Sequence, residues 1–182
     1  IKIMIILGVD PGTIVTGYGL IEYTNNKFRR ISHGVIKLPS SKSLSEKLEI
    51  IYNELDKLLK LYRPDEFVIE TAFYGKNVQS VLKIGYARGV SILAAIHNKV
   101  PTNEYSPREV KKAVVGKGAA SKQQVNYMVM TILNAKKIKF RPDESDALAI
   151  ALCHAFRLKA PTFKKSKSWK EFITANPDRV IK

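Results

Sequence analysis

Gly8–Gly19 reads GVDPGTIVTGYG: an apolar strand closes on an aspartate, a Pro-Gly turn follows, and a glycine-studded second strand begins. Upstream, Ile1–Val9 is unbroken apolar sequence apart from Lys2, the pattern of a central strand buried on both faces. Thr16–Tyr23 (TGYGLIEY) and Phe28–Leu38 (FRRISHGVIKL) are the next strands, with Asn25-Asn26 as the turn between them. Strands this close in sequence predict an antiparallel meander. Asp10 admits three readings: ordinary turn chemistry before Pro-Gly, the mouth of a phosphate cradle, or a metal ligand. Gly12, Gly17 and Gly19 read as residues that let the hairpin turn tightly and leave room beside the carboxylate for a phosphate.

Beyond the meander, SLSEKLEIIYNELDKLLKLY carries Leu44, Leu48, Ile51, Leu55, Leu58 and Leu59 at helical spacing, with Ser43 and Glu46 as a capping box. Arg63-Pro64-Asp65 ends that helix, and Glu66–Glu70 (EFVIE) is a short buried strand. Asn77 to about His97 is helical by length and by Ala, Leu and Ile content. VPTNEYSP is extended, REVKKAVVG a short helix, and SKQQVNYMVMTILN a helix capped by Ser121 with Gln124. A last helix starts at Asp143 and runs to about Leu158. The order predicts an α/β fold, a mixed sheet with helices covering it.

The 182 residues suit one domain at 1–158, followed by a Lys- and Ser-rich C-terminal tail at 159–182. Ile1 in place of methionine suggests a trimmed or edited start. Lys and Arg number 31 against 16 Asp and Glu, a net +15 that favours a polyanion, nucleic acid first. The single cysteine, Cys153, excludes an internal disulfide, fits a cytoplasmic protein and reads as core filler. No run is long enough to span a membrane, and no signal peptide is visible.

The few acids fall at the ends of elements. Asp10 follows the first strand and Glu70 the fourth, so neighbouring strands would bring both to one sheet edge. Asp143 and Asp146, three apart, share one face of the last helix. Such a cluster needs compensating charge; hard oxygen donors without a Cys/His set suit Mg²⁺ or Mn²⁺. Two such ions about 4 Å apart can activate a water and stabilise the leaving oxygen in phosphodiester cleavage. Each acid alone also has a plainer reading, Asp143 as a favourable charge at a helix start.

Four segments in this order resemble the RuvC family of Holliday-junction resolvases over roughly Ile6–Phe156. ILGVDPGTIVTGYGLIE is similar to its opening strand and hairpin, and VIETAFYGKNVQSVLKIGYARGV to its second catalytic segment. YSPREVKKAVVGKGAASKQQVNYMV resembles its DNA-facing region, and DESDALAIALCHA its closing acidic helix. The resemblance implies a ribonuclease H-like fold, a mixed five-stranded sheet with helices on both faces. It implies a cytoplasmic homodimer that nicks two opposed strands of a four-way DNA junction, leaving 5′-phosphate and 3′-hydroxyl ends. The family's metal-binding, catalytic carboxylates fall on Asp10, Glu70, Asp143 and Asp146, with two Mg²⁺ per site and Mn²⁺ as substitute. Phe73 matches an aromatic that stacks on a base, and Lys111 and Lys122 match basic residues near the scissile phosphate. Lys76, Arg88 and Lys117 complete the DNA-binding set, and RuvA and RuvB branch-migration proteins are implied partners.

Three other readings of the residues stay open. DPGT mimics the phosphate loop of the actin and sugar-kinase superfamily, although 182 residues supply only one of its two lobes. A non-catalytic module that recognises branched DNA by shape is the second. A ribonuclease H-like nuclease with another nucleic-acid substrate is the third.

Overall fold

In the computed structural model, which describes residues 3–71, 78–135, 137–159 and 173–174, the opening stretch forms two strands of one sheet. These are β1 (Met4–Asp10) and β2 (Val15–Thr24), antiparallel, with Gly8 opposite Gly19 and Asp10 opposite Gly17. The strand β3 (Lys27–Lys37) completes the meander after Asn25 and Asn26, whose φ of 50° and 62° supply the left-handed pair a tight hairpin needs. Two further strands, β4 (Glu66–Glu70) and β5 (Thr102–Tyr105), join parallel to β1, giving the order β3-β2-β1-β4-β5. The result is the expected mixed five-stranded sheet.

The period-two alternation of the strands divides the core. Leu7, Val9, Leu20, Phe67 and Ile69 face one way, against α1 (Leu44–Tyr62) and α2 (Val78–His97). Ile6, Ile21 and Val68 face the other, under α3 (Pro107–Val115), α4 (Lys122–Ile132) and α5 (Pro142–Lys159). Each large aliphatic sealed into these layers contributes roughly 1.5–3 kcal/mol. The capping boxes expected at Ser43–Glu46 and Ser121–Gln124 are both formed. A third, Ser106 with Glu109, starts α3 one residue earlier than its sequence suggested.

The glycines of the opening stretch do something other than turn. A Cβ at Gly8 would run into Ala147 O of α5, one at Gly17 into Asp143 O, and one at Gly19 into the Leu148 side chain. Their bare backbones let α5 lie directly on β1 and β2. Only Gly12 serves the turn itself, where a Cβ would meet Val15 O. The expectation that Gly17 and Gly19 tighten the hairpin and leave space for a phosphate is corrected accordingly: that space is filled by a helix.

The last helix continues through Lys159, one residue past the expected domain end. The basic tail lies outside the described residues except for Ile173 and Thr174, which are helical. No helix among the described residues is long and apolar enough to cross a membrane.

Candidate metal and nucleic-acid site

The parallel register of β1 and β4, ending on Val9 opposite Ile69, makes Asp10 and Glu70 leave the sheet side by side. The glycine contact lays α5 across the same end, and Asp146 reaches in from its second turn. These three acids line one pocket of about 210 Å³. Lys111 from α3 and Lys122 from α4 stand in its wall, with Val110, Val125 and Ala149 as apolar lining. Asp143, one turn earlier on α5, does not line the pocket. It still touches the site electrostatically, being one of the charges that act on Asp10.

Burial is the main force on these carboxyls. It pushes Asp10 from its usual 3.8 up to about 7, and the charges of Glu70, Asp146 and Asp143 push the same way against Lys122. Glu70 rises from 4.5 to about 7, chiefly by burial and then by Asp146, opposed by Lys122 and Lys111. Lys122 Nζ donates to Asp146 Oδ2 at 2.8 Å, and this bond raises the Lys122 ammonium above its usual range. With three carboxyls and two lysines lining it, the pocket is short of positive charge when every acid is ionised.

An oxygen-only donor set with that deficit fits a hard divalent cation. Among the described residues no three acidic, histidine or cysteine side chains already converge on one point. A cation held here would draw the carboxylates in from separate walls.

The basic residues expected to touch DNA divide into groups. Lys111 and Lys122 share the acidic pocket. Lys117 lines an adjoining open groove of about 860 Å³, together with Lys111 and Arg108. Arg108 was not legible as a candidate, although its i, i+3 spacing from Lys111 puts both on one face of α3. Arg88 departs from expectation. Its side chain is 20% exposed; Nε donates to Glu70 O at 3.0 Å, and its terminal nitrogen is bonded to Glu104. Its Nε and one terminal nitrogen are thus engaged within the protein, by the Glu70 carbonyl and by the partly exposed Glu104. Phe73 and Lys76 lie outside the described residues.

Residues 6–154 match the family model described as crossover junction endodeoxyribonuclease RuvC. A protein of that description from Chloroherpeton thalassium is 46% identical over 186 residues, spanning 98% of this chain and 100% of its own length. One from Clostridioides difficile is 46% identical, over 84% of this chain and 90% of its own. Among solved structures, Thermus thermophilus RuvC in complex with a Holliday junction substrate is 32% identical with a TM-score of 0.81, covering 86% of this chain and 95% of that one. The yeast mitochondrial Holliday junction resolvase, 14% identical, shares the fold with a TM-score of 0.63, over 83% of this chain and 77% of that one.

Proposed function

The chain belongs to the RuvC family of crossover junction endodeoxyribonucleases, and on that premise we propose that its carboxylate pocket is where it cuts a four-way DNA junction. It is a Holliday-junction resolvase, a divalent-metal-dependent endonuclease of DNA recombination and repair. The observation that carries the site assignment is the meeting of Asp10, Glu70 and Asp146 from three separate elements in one pocket with two lysines. In this reading Asp10, Glu70, Asp143 and Asp146 hold the metal, Mg²⁺ with Mn²⁺ as substitute, two ions to a site.

When bound, a divalent metal would supply an activated water and stabilisation of the leaving oxygen. The chain's own residues do the rest. Asp10 and Glu70, fixed on adjacent strand ends, set the direction of the oxygen donors, and Asp146 closes the set from α5. Lys122 orients Asp146 through its 2.8 Å bond and adds positive charge beside the scissile phosphate. Lys111 supplies a second cation, and Arg108 and Lys117 carry the flanking backbone along the adjoining groove. Phe73, stacking on a base, and Lys76 belong to the proposal on the family resemblance alone.

Two opposed nicks need two such sites, and α2 supports a homodimer. Val78, Leu82, Tyr86, Leu93 and Ile96 are all exposed along one side of it. Gly85 and Gly89 lie on the same stripe with open space where a Cβ would point, so a second α2 can approach closely. A link to RuvA and RuvB rests on the resemblance and has no assigned surface. The basic tail is proposed as an appendage to a single nuclease domain.

The test is cleavage of a mobile four-way junction, with the nicks mapped. Symmetric paired nicks that vanish in EDTA are expected. Asp10→Asn should lower cleavage by about 10⁴-fold and leave junction binding intact. Equal loss of cleavage and binding would overturn the metal-site assignment. Comparing junction, duplex and RNA–DNA hybrid separates this reading from a ribonuclease H-like nuclease of other substrate.

A further inference from the structure

The register of the sheet leaves the carbonyl of Glu70 without a donor from β1. The N–H groups of Phe67 and Thr71 point to β5, donating to Pro101 O and Tyr105 O at 2.8 Å. By alternation the backbone of Glu70 points the other way, to β1. Continuing the register beyond Val9–Ile69 asks residue 11 to donate to that carbonyl. Residue 11 is proline, which has no N–H.

The donor comes instead from a helix. Arg88 of α2 reaches over the strand end, and its Nε donates to Glu70 O at 3.0 Å. The other arm of the same guanidinium is paired with Glu104 of β5. One planar, rigid group thus ties β4, β5 and α2 together at the residue whose side chain enters the acidic pocket.

We propose that Arg88 is a positioning residue for Glu70: it replaces the donor that Pro11 cannot supply, and so fixes the direction in which Glu70 presents its carboxylate to the metal. This rests on the reading of Glu70 as a metal ligand. Arg88 acts through the backbone of its neighbour and touches neither DNA nor metal. The proposed dimer helix and the proposed metal ligand therefore share one side chain, and any shift of α2 is felt at Glu70.

The test is single-turnover cleavage of a four-way junction by the full chain across a Mg²⁺ titration, with junction affinity measured separately in EDTA. Arg88→Met should slow cleavage at limiting Mg²⁺ by about 10- to 100-fold. It should raise the Mg²⁺ needed for half-maximal rate and leave affinity in EDTA unchanged. Adding Pro11→Ala to Arg88→Met restores an N–H opposite the carbonyl and should recover part of the rate. Should Arg88→Met fail to fold, Arg88→Lys, whose single flexible ammonium loses the planar fork that holds Glu70 O and Glu104 together, carries the comparison: a raised Mg²⁺ midpoint supports the proposal, and a wild-type midpoint overturns it. Weakened junction binding with an unchanged midpoint assigns Arg88 to DNA and overturns it too. Glu70→Gln, run in parallel, keeps the two readings apart. If that variant cleaves, the metal-site reading fails on its own account, whatever the Arg88 variants do.

Discussion

The two faces of the sheet are covered in opposite ways. On one, bulky side chains such as Leu7, Leu20, Phe67 and Ile69 separate the strands from α1 and α2 in an ordinary aliphatic layer. On the other, beside an aliphatic layer that includes Ile6, Ile21 and Val68, three glycines, Gly8, Gly17 and Gly19, let α5 come down onto the backbones of β1 and β2. The first arrangement gives stability and tolerates small adjustments, because side chains can repack. The second fixes the height of α5 above β1 with nothing soft between them, and Asp146 rides on that height. Both faces supply cohesion, and the glycine face adds a fixed position for α5.

Gly17→Ala is the sharpest way to break this contrast. A methyl group there meets Asp143 backbone, which cannot rotate away. The start of α5 must lift, and a shift of about 1 Å at a reacting centre is worth about 100-fold in cleavage rate. Leu55→Ala, buried in the aliphatic layer of the other face, should do the reverse. It should destabilise by about 2–5 kcal/mol in denaturant melts, with cleavage per folded molecule unchanged. If Leu55→Ala lowers the rate as much as Gly17→Ala, the division between the faces is wrong.

Acid gives a gentler probe. His154, buried in α5, is bonded through Nδ1 to the Tyr105 hydroxyl at 2.8 Å, and burial, then the nearby Arg157, holds its pKa below the usual 6.5. The neutral form is the one that fits, so its contribution is full above the unfolded value. It is lost as pH falls below about 6.5 toward the folded value. Thermal melts of His154→Gln should show a flatter pH dependence between pH 7 and pH 5 than the wild type. The smallest effect belongs to the groove. Lys117→Gln should reduce the salt dependence of junction binding by roughly one unit of log–log slope, with cleavage of bound junction unchanged.

Much of this is legible in the sequence. Acids at the ends of apolar runs are visible in a linear string, since strand ends are marked by the turns that follow them. Asp10 and Glu70 were found that way, and the parallel pairing of their strands brings them together. The i, i+3 spacing of Asp143 and Asp146 was also legible, but not that only Asp146 faces the pocket. Which side of α5 points inward is set by the glycine contact, and that is a property of three strand residues far away in sequence. Taken locally those glycines look like turn formers, because nothing in a sequence names the helix that will lie on them. The internal pairing of Arg88 is hidden for the same reason. A basic residue looks like a surface cation until Pro11, 77 positions earlier, leaves it a carbonyl to satisfy.

The burial of α5 has a consequence in time as well as in space. Ala147 through Ala155 are sealed on all sides, whereas α3 and α4 cover only the outer flank of that helix. Amide hydrogen exchange should therefore be slowest in α5 and the adjoining β1, and faster in α3 and α4. The acids Asp10 and Asp146 belong to the slow unit, and the lysines 111 and 122 to the fast one. Brief local openings would swing Lys111 and Lys122 away from carboxylates whose backbones stay in place, so on the proposed site assignment a bound phosphate could be let go while the acids keep their positions.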